Sequence, residues 1–334
     1  MLRLVVRRLL QLIPTLFGLT VLLFIWIHRL PGGPAWALLG ERGNEAARRQ
    51  IEEQLGLNEP LLVQYGRWLR RLVELDLGNS VKTGQPVWEE FTLRFPATFE
   101  LGVTALLFAV VIGIPLGYFA ARRRGTWLDV TAVSGSLLGI CVPVFFLAMI
   151  LRSIFAVNLG WLPSGGRLTT GINATDVTGF AVLDGLLTGE FDASWDAIQH
   201  LILPGLALAS IPLAVVVRIT RASVLEVLSE DYVRTAESKG LRKSVVRARH
   251  VLRNALLPVV TTVGLLTGSL LSGAVLTESA FSFGGIGSFI RQAISDRDYP
   301  VLMGFILFIA LLYVLINLLV DLTYGLIDPR VRVN

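Results

Sequence analysis

This sequence is poor in the residues that usually carry chemistry. It has a single cysteine, Cys141, so an intrachain disulfide is excluded, and its three histidines, His28, His200 and His250, lie far apart along the chain. It contains no HExxH sequence and no Cys/His cluster, which are common signals of a metal site. The GxxxxGK[ST] phosphate-binding loop is absent as well. We therefore expect no catalytic residue, no metal and no cofactor on this chain, and we interpret Cys141 as a small packing residue.

Charged residues are also scarce. They make up 16% of the chain, whereas 53% of the residues are hydrophobic, and the net charge is +5. Such a composition predicts several membrane spans, and basic loops beside those spans account for the positive charge without any nucleic acid. Acids and bases stay near the ends of the apolar runs, whereas proton-driven carriers usually need titratable groups inside the membrane. The energy for transport should then come from another protein, with a self-sufficient carrier or channel as the alternative.

Six apolar runs are long enough to cross a bilayer as helices. The first, Leu9 to Ile27, follows several arginines and lacks the small-residue cleavage site of a signal peptide, so we keep it as a span. The other five are predicted at 101–121, 130–151, 201–217, 259–276 and 301–320. Arginines flank the loops that would face the cytoplasm. The prediction is an all-α membrane protein with six transmembrane helices and with both the N-terminus and the C-terminus in the cytoplasm.

Three regions follow from these spans. Residues 1–28 are the N-terminal tail and first span, 29–98 a large external region, and 99–334 the transmembrane core. In the external region we predict helices at Arg42 to Leu55 and at Pro60 to Leu75, the second of them amphipathic and lying along the outer face of the membrane. An ordinary external cap without a ligand role is an equal alternative.

The central loop, 218–257, is too charged to cross the membrane, and its excess of basic residues places it in the cytoplasm. We predict a short helix with Asp231 as its N-cap, a sharp left-handed bend at Gly240, and a longer helix that leads to Pro258. The apolar stripe of that longer helix is predicted from residues at helical spacing, which are Leu241, Val245, Ala248, Leu252 and Ala255. A short helix bent out of the bundle suits docking to a soluble partner. The alternative is a basic loop that only satisfies the rules of membrane insertion.

The same loop carries a family resemblance. DYVRTAESKGL followed by RHVLRNALLPV resembles the EAA loop of ABC importer permeases, in the form found in their peptide/nickel branch. Residues 234–236 take the EAA positions, Gly240 takes the glycine, and Leu257 and Pro258 take the end of the motif. Of the three EAA positions only Ala236 matches the motif, and the proline lies further from the glycine than in the general pattern. Both departures are usual in this branch.

Other segments resemble the same family, so the resemblance covers nearly the whole chain. They are PGGPA, LGLNEPLLVQYGRWL, LGNSVKTGQPV with RFPATFELG, and SGAVLTESAFSFGGIGSFIRQAISDRDYPVLMG. We expect the last of them to form a short external hairpin packed back on the bundle.

The resemblance implies a type I ABC importer permease in the plasma (inner) membrane of a prokaryote, where the chain forms half of a pathway for di- or oligopeptides or similar small solutes. The implied partners are a second, homologous permease subunit that completes a heterodimer, two cytoplasmic ABC ATPases, an external substrate-binding protein, and membrane lipid, but no nucleic acid. A nickel chelate or glutathione is an alternative substrate, and an exporter or scaffold subunit is an alternative role. Because the binding protein largely sets selectivity in such systems, the sequence leaves the substrate open.

Two sets of candidate site residues follow. The resemblance assigns coupling to the ATPase to Asp231, Tyr232, Arg234, Thr235, Ala236, Lys239, Gly240, Leu241 and Arg242. It implies that Ala236 and Gly240 allow close backbone approach and that the basic residues contact acidic rims of the ATPase. Small residues and prolines in the spans suggest helix packing, a kink or a pathway lining, and they are Pro204, Pro212, Gly264, Gly268, Ser269, Ser272 and Gly273.

Overall fold

The computed structural model describes the backbone of residues 2–30, 33–39, 44–172 and 174–327. Within these ranges it describes all side chains except those of 2–9, 33, 37, 38, 51, 54, 55, 269, 271–273 and 321–327. Four predicted features therefore lie wholly or partly outside the described residues: the start of a helix at Arg42, the first residues of the PGGPA segment, the side chains of Ser269, Ser272 and Gly273, and the chain end from 328 onward.

Regular structure in these ranges is helical, apart from one isolated bridge between Asn79 and Pro86. The helices are α1 (Leu2–Arg29), α2 (Gly33–Leu39), α3 (Glu45–Leu55), α4 (Leu61–Val73), α5 (Val87–Arg122), α6 (Trp127–Cys141), α7 (Val144–Leu151), α8 (Ala181–Thr188), α9 (Phe191–Leu228), α10 (Asp231–Ser238), α11 (Lys243–Val245), α12 (Arg253–Phe281), α13 (Ile286–Asp296) and α14 (Tyr299–Ile327). Two π-helical segments, Arg152–Asn158 and Val246–Leu252, continue α7 and join α11 to α12.

Five helical stretches are long and apolar enough to cross a membrane, judged over the described residues. They are Leu10–Arg29, Val87–Arg122, Phe191–Leu228, Lys243–Gly268 and Tyr299–Val320. A sixth span is possible if α6 and α7 count as one broken span, since they pass the same test together but are bent by 105°. The prediction of an all-α protein with multiple spans is confirmed. The number six and the cytoplasmic location of both termini stay predictions.

The predicted third span is broken rather than continuous. α6 ends at Cys141, Val142 has an extended backbone, and Pro143 precedes the first residue of α7. Proline has no N–H to donate and pushes the residue before it out of the helical region, so a helix ends there and another begins. Cys141 at this break is exposed, so the expectation that it packs inside this chain is wrong.

The predicted fourth span is much longer than expected. α9 is a helix of 38 residues that contains Pro204 and Pro212, both of them buried, so the two prolines do not end the span. Of its most apolar stretch 72% is buried, against 17–33% for the other four candidate spans. Because a helix that is apolar all round is usually buried, α9 is the most enclosed of the five candidate spans.

The chain divides into two compact units, Met1–Pro96 with Gly284–Leu318, and Ala97–Phe283 with Leu319–Asn334. The first unit has an aromatic core in which Phe91 contacts Phe305 and Phe308. The predicted helix near Pro60 is confirmed as α4, where Tyr65 hydroxyl lies 2.8 Å from the Thr20 hydroxyl of α1. Several apolar residues of α4 and of the segment just after it are exposed: Leu61, Leu62, Val63, Val73 and Leu75.

The segment before α14 forms a helix, α13, rather than a simple hairpin. Arg297 ends it with a left-handed backbone conformation, and the buried Asp298 precedes α14, where its carbonyl accepts a hydrogen bond from the Leu302 N–H. Asp298 accepts a hydrogen bond of 2.5 Å from the buried Ser80 hydroxyl and a longer one from the Lys82 backbone N–H. The turn around residue 80 is therefore held to the end of α13 within the first unit.

The second unit is packed around α9. Gly113 and Gly117 of α5 face α9 so closely that a Cβ at Gly117 would lie 2.6 Å from the Val217 carbonyl oxygen and 2.7 Å from Thr220 Cβ. Gly205 of α9 faces α5 in turn, where a Cβ would lie 2.9 Å from the Thr104 side chain. Glycines spaced four apart allow backbones to approach in this manner, and the α5 pair was available in the sequence but was not singled out.

Candidate functional site

The short helix α10 has the position in the chain that the sequence predicts, between α9 and the long helical run that starts at Lys243. Its N-cap is Glu230, which makes no side-chain capping bond, so the prediction of Asp231 as the N-cap is wrong by one residue. Asp231 is the first helical residue, where a carboxylate interacts favourably with the positive end of the helix dipole. Asp231 also lies 3.8 Å from the guanidinium of Arg234, and both side chains are exposed.

The predicted bend at Gly240 is confirmed. Gly240 has φ +72, and its N–H donates to the Glu237 carbonyl at 2.9 Å, which closes the last turn of α10. A Cβ placed on Gly240 would have no atom within 4 Å. Within this chain the glycine is therefore needed for its left-handed backbone, which other residues adopt at a cost, and not to make room for a neighbour.

α10 has two distinct faces. Val233 and Ala236 are buried, together with Val246, Val251 and Ala255. Ala121 of α5 and Val224 of α9 complete this group of seven residues, which we call the α10 cluster. Ala236 therefore packs against its own chain, and the expectation that it allows close approach of an ATPase stays a prediction.

The opposite face of α10 and the turn after it are open. Exposed here are Asp231, Tyr232, Arg234, Thr235, Lys239, Gly240, Leu241 and Arg242. Tyr232 is tied to the following helix, since its hydroxyl accepts a hydrogen bond of 2.9 Å from the Asn254 amide. Arg234, Lys239 and Arg242 are thus all exposed, as are the acids Asp231 and Glu237.

The apolar stripe after Gly240 differs from the predicted one. Leu241, Val245 and Ala248 are exposed and Leu252 is half-buried, so of the five predicted residues only Ala255 belongs to the α10 cluster. The buried residues are Val246, Val251 and Ala255, spaced five and then four apart. The π-helical segment explains this spacing, since it adds a residue to the turn and rotates the face that meets α10.

The candidates for helix packing or a pathway lie in the second unit. Gly264 and Gly268 of α12 and Pro204 and Pro212 of α9 are all buried, and α9 and α12 are in extensive contact. Ser269, Ser272 and Gly273 lie on α12, but their side chains are not among those described. Burial favours a packing role for the four described residues.

The end of α12 is held by the segment that follows α7. Arg152 donates to the Ala280 carbonyl at 2.7 Å, and Gly166 N–H donates to the Phe281 carbonyl at 2.8 Å. A cation at the C-terminus of a helix stabilises the exposed carbonyls there. Three residues before Phe281, the fully buried Glu278 accepts a hydrogen bond of 2.5 Å from Thr98.

Acidic residues of the segment 155–199 bind their own loop. Burial by itself would raise the pKa of Asp184, but hydrogen bonds from the Thr178 hydroxyl and from the backbone N–H groups of Thr178 and Gly179 outweigh it and hold that pKa below its usual value. The backbone N–H and the hydroxyl of Thr175 lower the pKa of Glu190 in the same way. These carboxylates serve the fold of the loop. Among the described residues, no group of three His, Cys, Asp or Glu side chains could hold a metal ion.

Two family models match this chain. The model described as the binding-protein-dependent transport system inner membrane component matches residues 113–333, and the model for the N-terminal part of such components matches residues 1–102.

Similar proteins match over almost the full length. The dipeptide transport system permease protein DppB of Alkalihalophilus pseudofirmus is 48% identical over 332 residues, which is 99% of this chain and 100% of the relative. The protein of the same name from Escherichia coli K12 is 46% identical over 336 residues, 99% of each chain. The di/tripeptide transport system permease protein DppB of Pseudomonas aeruginosa is 46% identical over 333 residues, again 99% of each.

Proposed function

This chain belongs to the family of inner membrane components of binding-protein-dependent transport systems, and we propose that it is the permease subunit of a dipeptide importer that is driven by ATP through α10. Membership makes it a multi-pass protein of the inner membrane and a component of a transporter rather than a catalytic enzyme. It also implies an ABC system with a substrate-binding protein and ATPase partners.

The dipeptide substrate is supported by one observation. Relatives named as dipeptide or di/tripeptide permeases match this chain at 46–48% identity over almost its whole length. A second, homologous permease subunit completes the pathway in this proposal, with each subunit supplying half. Both termini lie in the cytoplasm, and so does α10.

Coupling to the ATPase is proposed for the exposed side of α10. Arg234 projects from α10, and Lys239 and Arg242 are exposed in the turn that follows it, whereas the opposite face of α10 is fixed to the chain by the α10 cluster. An element held on one side, with three basic and two acidic side chains exposed over residues 231–242, can dock its basic residues against an acidic rim and move as a unit with it. ATP binding then moves α10 toward one arrangement and hydrolysis returns it, so that ATP and substrate bias the same two states.

The experiment is uptake of a labelled dipeptide into proteoliposomes that contain this chain with its partner permease, ATPases and binding protein. We expect uptake to need ATP and every component, and to be reduced by unlabelled dipeptides more than by glutathione. Uptake by this chain alone would refute the proposal and indicate a carrier or channel. Stronger inhibition by glutathione than by dipeptides would indicate that glutathione, and not a dipeptide, is the substrate.

Charge-reversal variants test the docking role. Arg234→Glu and Lys239→Glu should lower both recovery of the ATPase with the permease and uptake by at least about tenfold, because like charges across an interface repel. Arg249→Glu changes the same charge in the same basic loop, but it lies beyond Gly240 and outside α10. If Arg249→Glu is as harmful as the α10 variants, the basic loop acts only through general charge, and the docking role of α10 is refuted.

A further inference from the structure

An ion pair joins α6 to α9 in the second unit. Both Nε and Nη2 of Arg221 donate to the Asp129 carboxylate, at 2.5 and 2.8 Å, and the Gly125 backbone N–H donates to it at 3.0 Å. Asp129 is only 5% exposed. Two parallel bonds from one guanidinium fix the relative orientation of the two groups as well as their distance.

The two ends of this ion pair adjoin the α10 cluster. Arg221 lies one turn before Val224, and the turn that contains Gly125 follows Ala121 by four residues. Val224 and Ala121 are the residues that α9 and α5 contribute to the α10 cluster, which also contains the two buried residues of α10. A displacement of α10 therefore acts on α9, which carries Arg221, and on the end of α5, which residues 123–126 join to α6.

A second link in the same place is made of backbone. Gly117 of α5 lies against Val217 and Thr220 of α9, where a Cβ would meet the Arg221 backbone nitrogen at 3.2 Å. α5 and α9 are thus fixed to each other beside Arg221. α6 has two connections to them. Asp129 binds Arg221 of α9, and a short turn of residues 123–126, with a left-handed glycine at Gly125, joins α6 to α5.

We propose that Asp129 and Arg221 are positioning residues for transport, which pass the displacement of α10 to the start of α6. α6 leads directly to the sharp bend before Pro143, so a rotation at its first turn is delivered to the bent α6–α7 pair. Without the ion pair α6 keeps its packing against α9 but loses the charged connection that fixes its first turn. This inference rests on the proposed coupling role of α10.

The test measures transported dipeptide per ATP hydrolysed in the complete complex in proteoliposomes. Asp129→Asn and Arg221→Gln should still assemble and hydrolyse ATP, while the ratio of uptake to hydrolysis falls at least about fivefold, the range of ordinary coupling between sites. The double variant Asp129→Arg with Arg221→Asp restores the pairing of opposite charges and should recover part of the ratio. Arg218→Gln is the matched control, since Arg218 is an exposed arginine one turn earlier on α9 and its loss should leave the ratio unchanged.

A wild-type ratio in Asp129→Asn, or an equal fall in Arg218→Gln, would overturn the proposal. If Asp129→Asn fails to assemble, Arg221→Lys gives the same readout, because it keeps the charge but cannot form the two parallel bonds. We expect an intermediate ratio from it, and a wild-type ratio would again refute the role. Normal uptake in the α10 charge-reversal variants is a separate result, which would remove the docking role whatever the ion pair does.

Discussion

Val246 and Val251 are five residues apart, and both are buried in the α10 cluster, at 3% and 1% exposure. In an α-helix, residues five apart point in clearly different directions, whereas the π-helical segment Val246–Leu252 brings these two to one side. Val245, next to Val246, is 39% exposed. The identity of the buried valine therefore depends on a local change of helix type.

The two adjacent valines form a matched test of this register. Val246→Asn should lower the stability of the purified subunit in detergent by about 1–3 kcal/mol, because it buries an amide without a partner. Val245→Asn should change it by less than about 0.5 kcal/mol, as exposed substitutions usually do. Thermal unfolding of both variants measures the difference. A larger loss in Val245→Asn would show that the regular helical register is the correct one.

Gly117 and Gly102 form a second matched pair on α5. Alanine favours a helix over glycine by up to about 1 kcal/mol, so Gly102→Ala, which has open space around its Cβ, should be neutral or stabilising. Gly117→Ala should instead destabilise the subunit by about 1–3 kcal/mol, because the methyl group would overlap the Val217 carbonyl oxygen. Thermal unfolding in detergent distinguishes them. Equal stability of the two variants would contradict the close approach of α5 and α9.

The effect of a substitution at Gly240 should depend on how readily the new residue adopts the left-handed backbone conformation. Asparagine visits the left-handed region most readily, alanine does so at a cost of roughly 1–2 kcal/mol, and proline is excluded from it. Proline would also remove the N–H that bonds to the Glu237 carbonyl. Uptake should therefore decrease in the order glycine, asparagine, alanine, proline, with membrane insertion intact throughout. Normal uptake in Gly240→Pro would refute the need for this bend.

Asp184 should make stability depend on pH in one direction. Its pKa is held below the usual 3.8, so its ionised form is favoured by folding, and this contribution is present above that value and is lost as the pH falls through the lowered pKa. At pH 7 Asp184→Asn should be less stable than wild type by about 1–2 kcal/mol. The difference should shrink below about pH 3.8. A difference that stays constant from pH 7 to pH 3 would contradict this role of the carboxylate.

Much of the structure around α10 was predictable from local sequence. The short helix α10, the left-handed bend at Gly240 and the long helix beyond it all follow from residues within a turn of each feature. The exposed basic residues were predictable as well, because charged side chains are rarely buried without a partner. The burial of Ala236 was not predictable, since its small size fits equally well against an ATPase and against the chain's own α10 cluster.

The predicted spans succeeded where length and apolar character decide and failed where contacts decide. α9 runs through the buried Pro204 and Pro212, whereas Pro143 follows the end of α6 and a bend of 105°. The local chemistry of proline is the same in both cases, so the sequence alone did not distinguish them.

The sequence by itself determined that this chain is a helical membrane protein, which family it belongs to, and that a short helix precedes a bend at Gly240. These properties depend on composition, hydrophobic runs and single residues with restricted backbones. Only the tertiary structure decided that Val246 rather than Val245 faces α10, that Gly117 lies against α9, and that Asp129 binds Arg221 from 92 residues away. Such relations depend on how distant helices approach one another, and the spacing of residues along one segment does not contain that information.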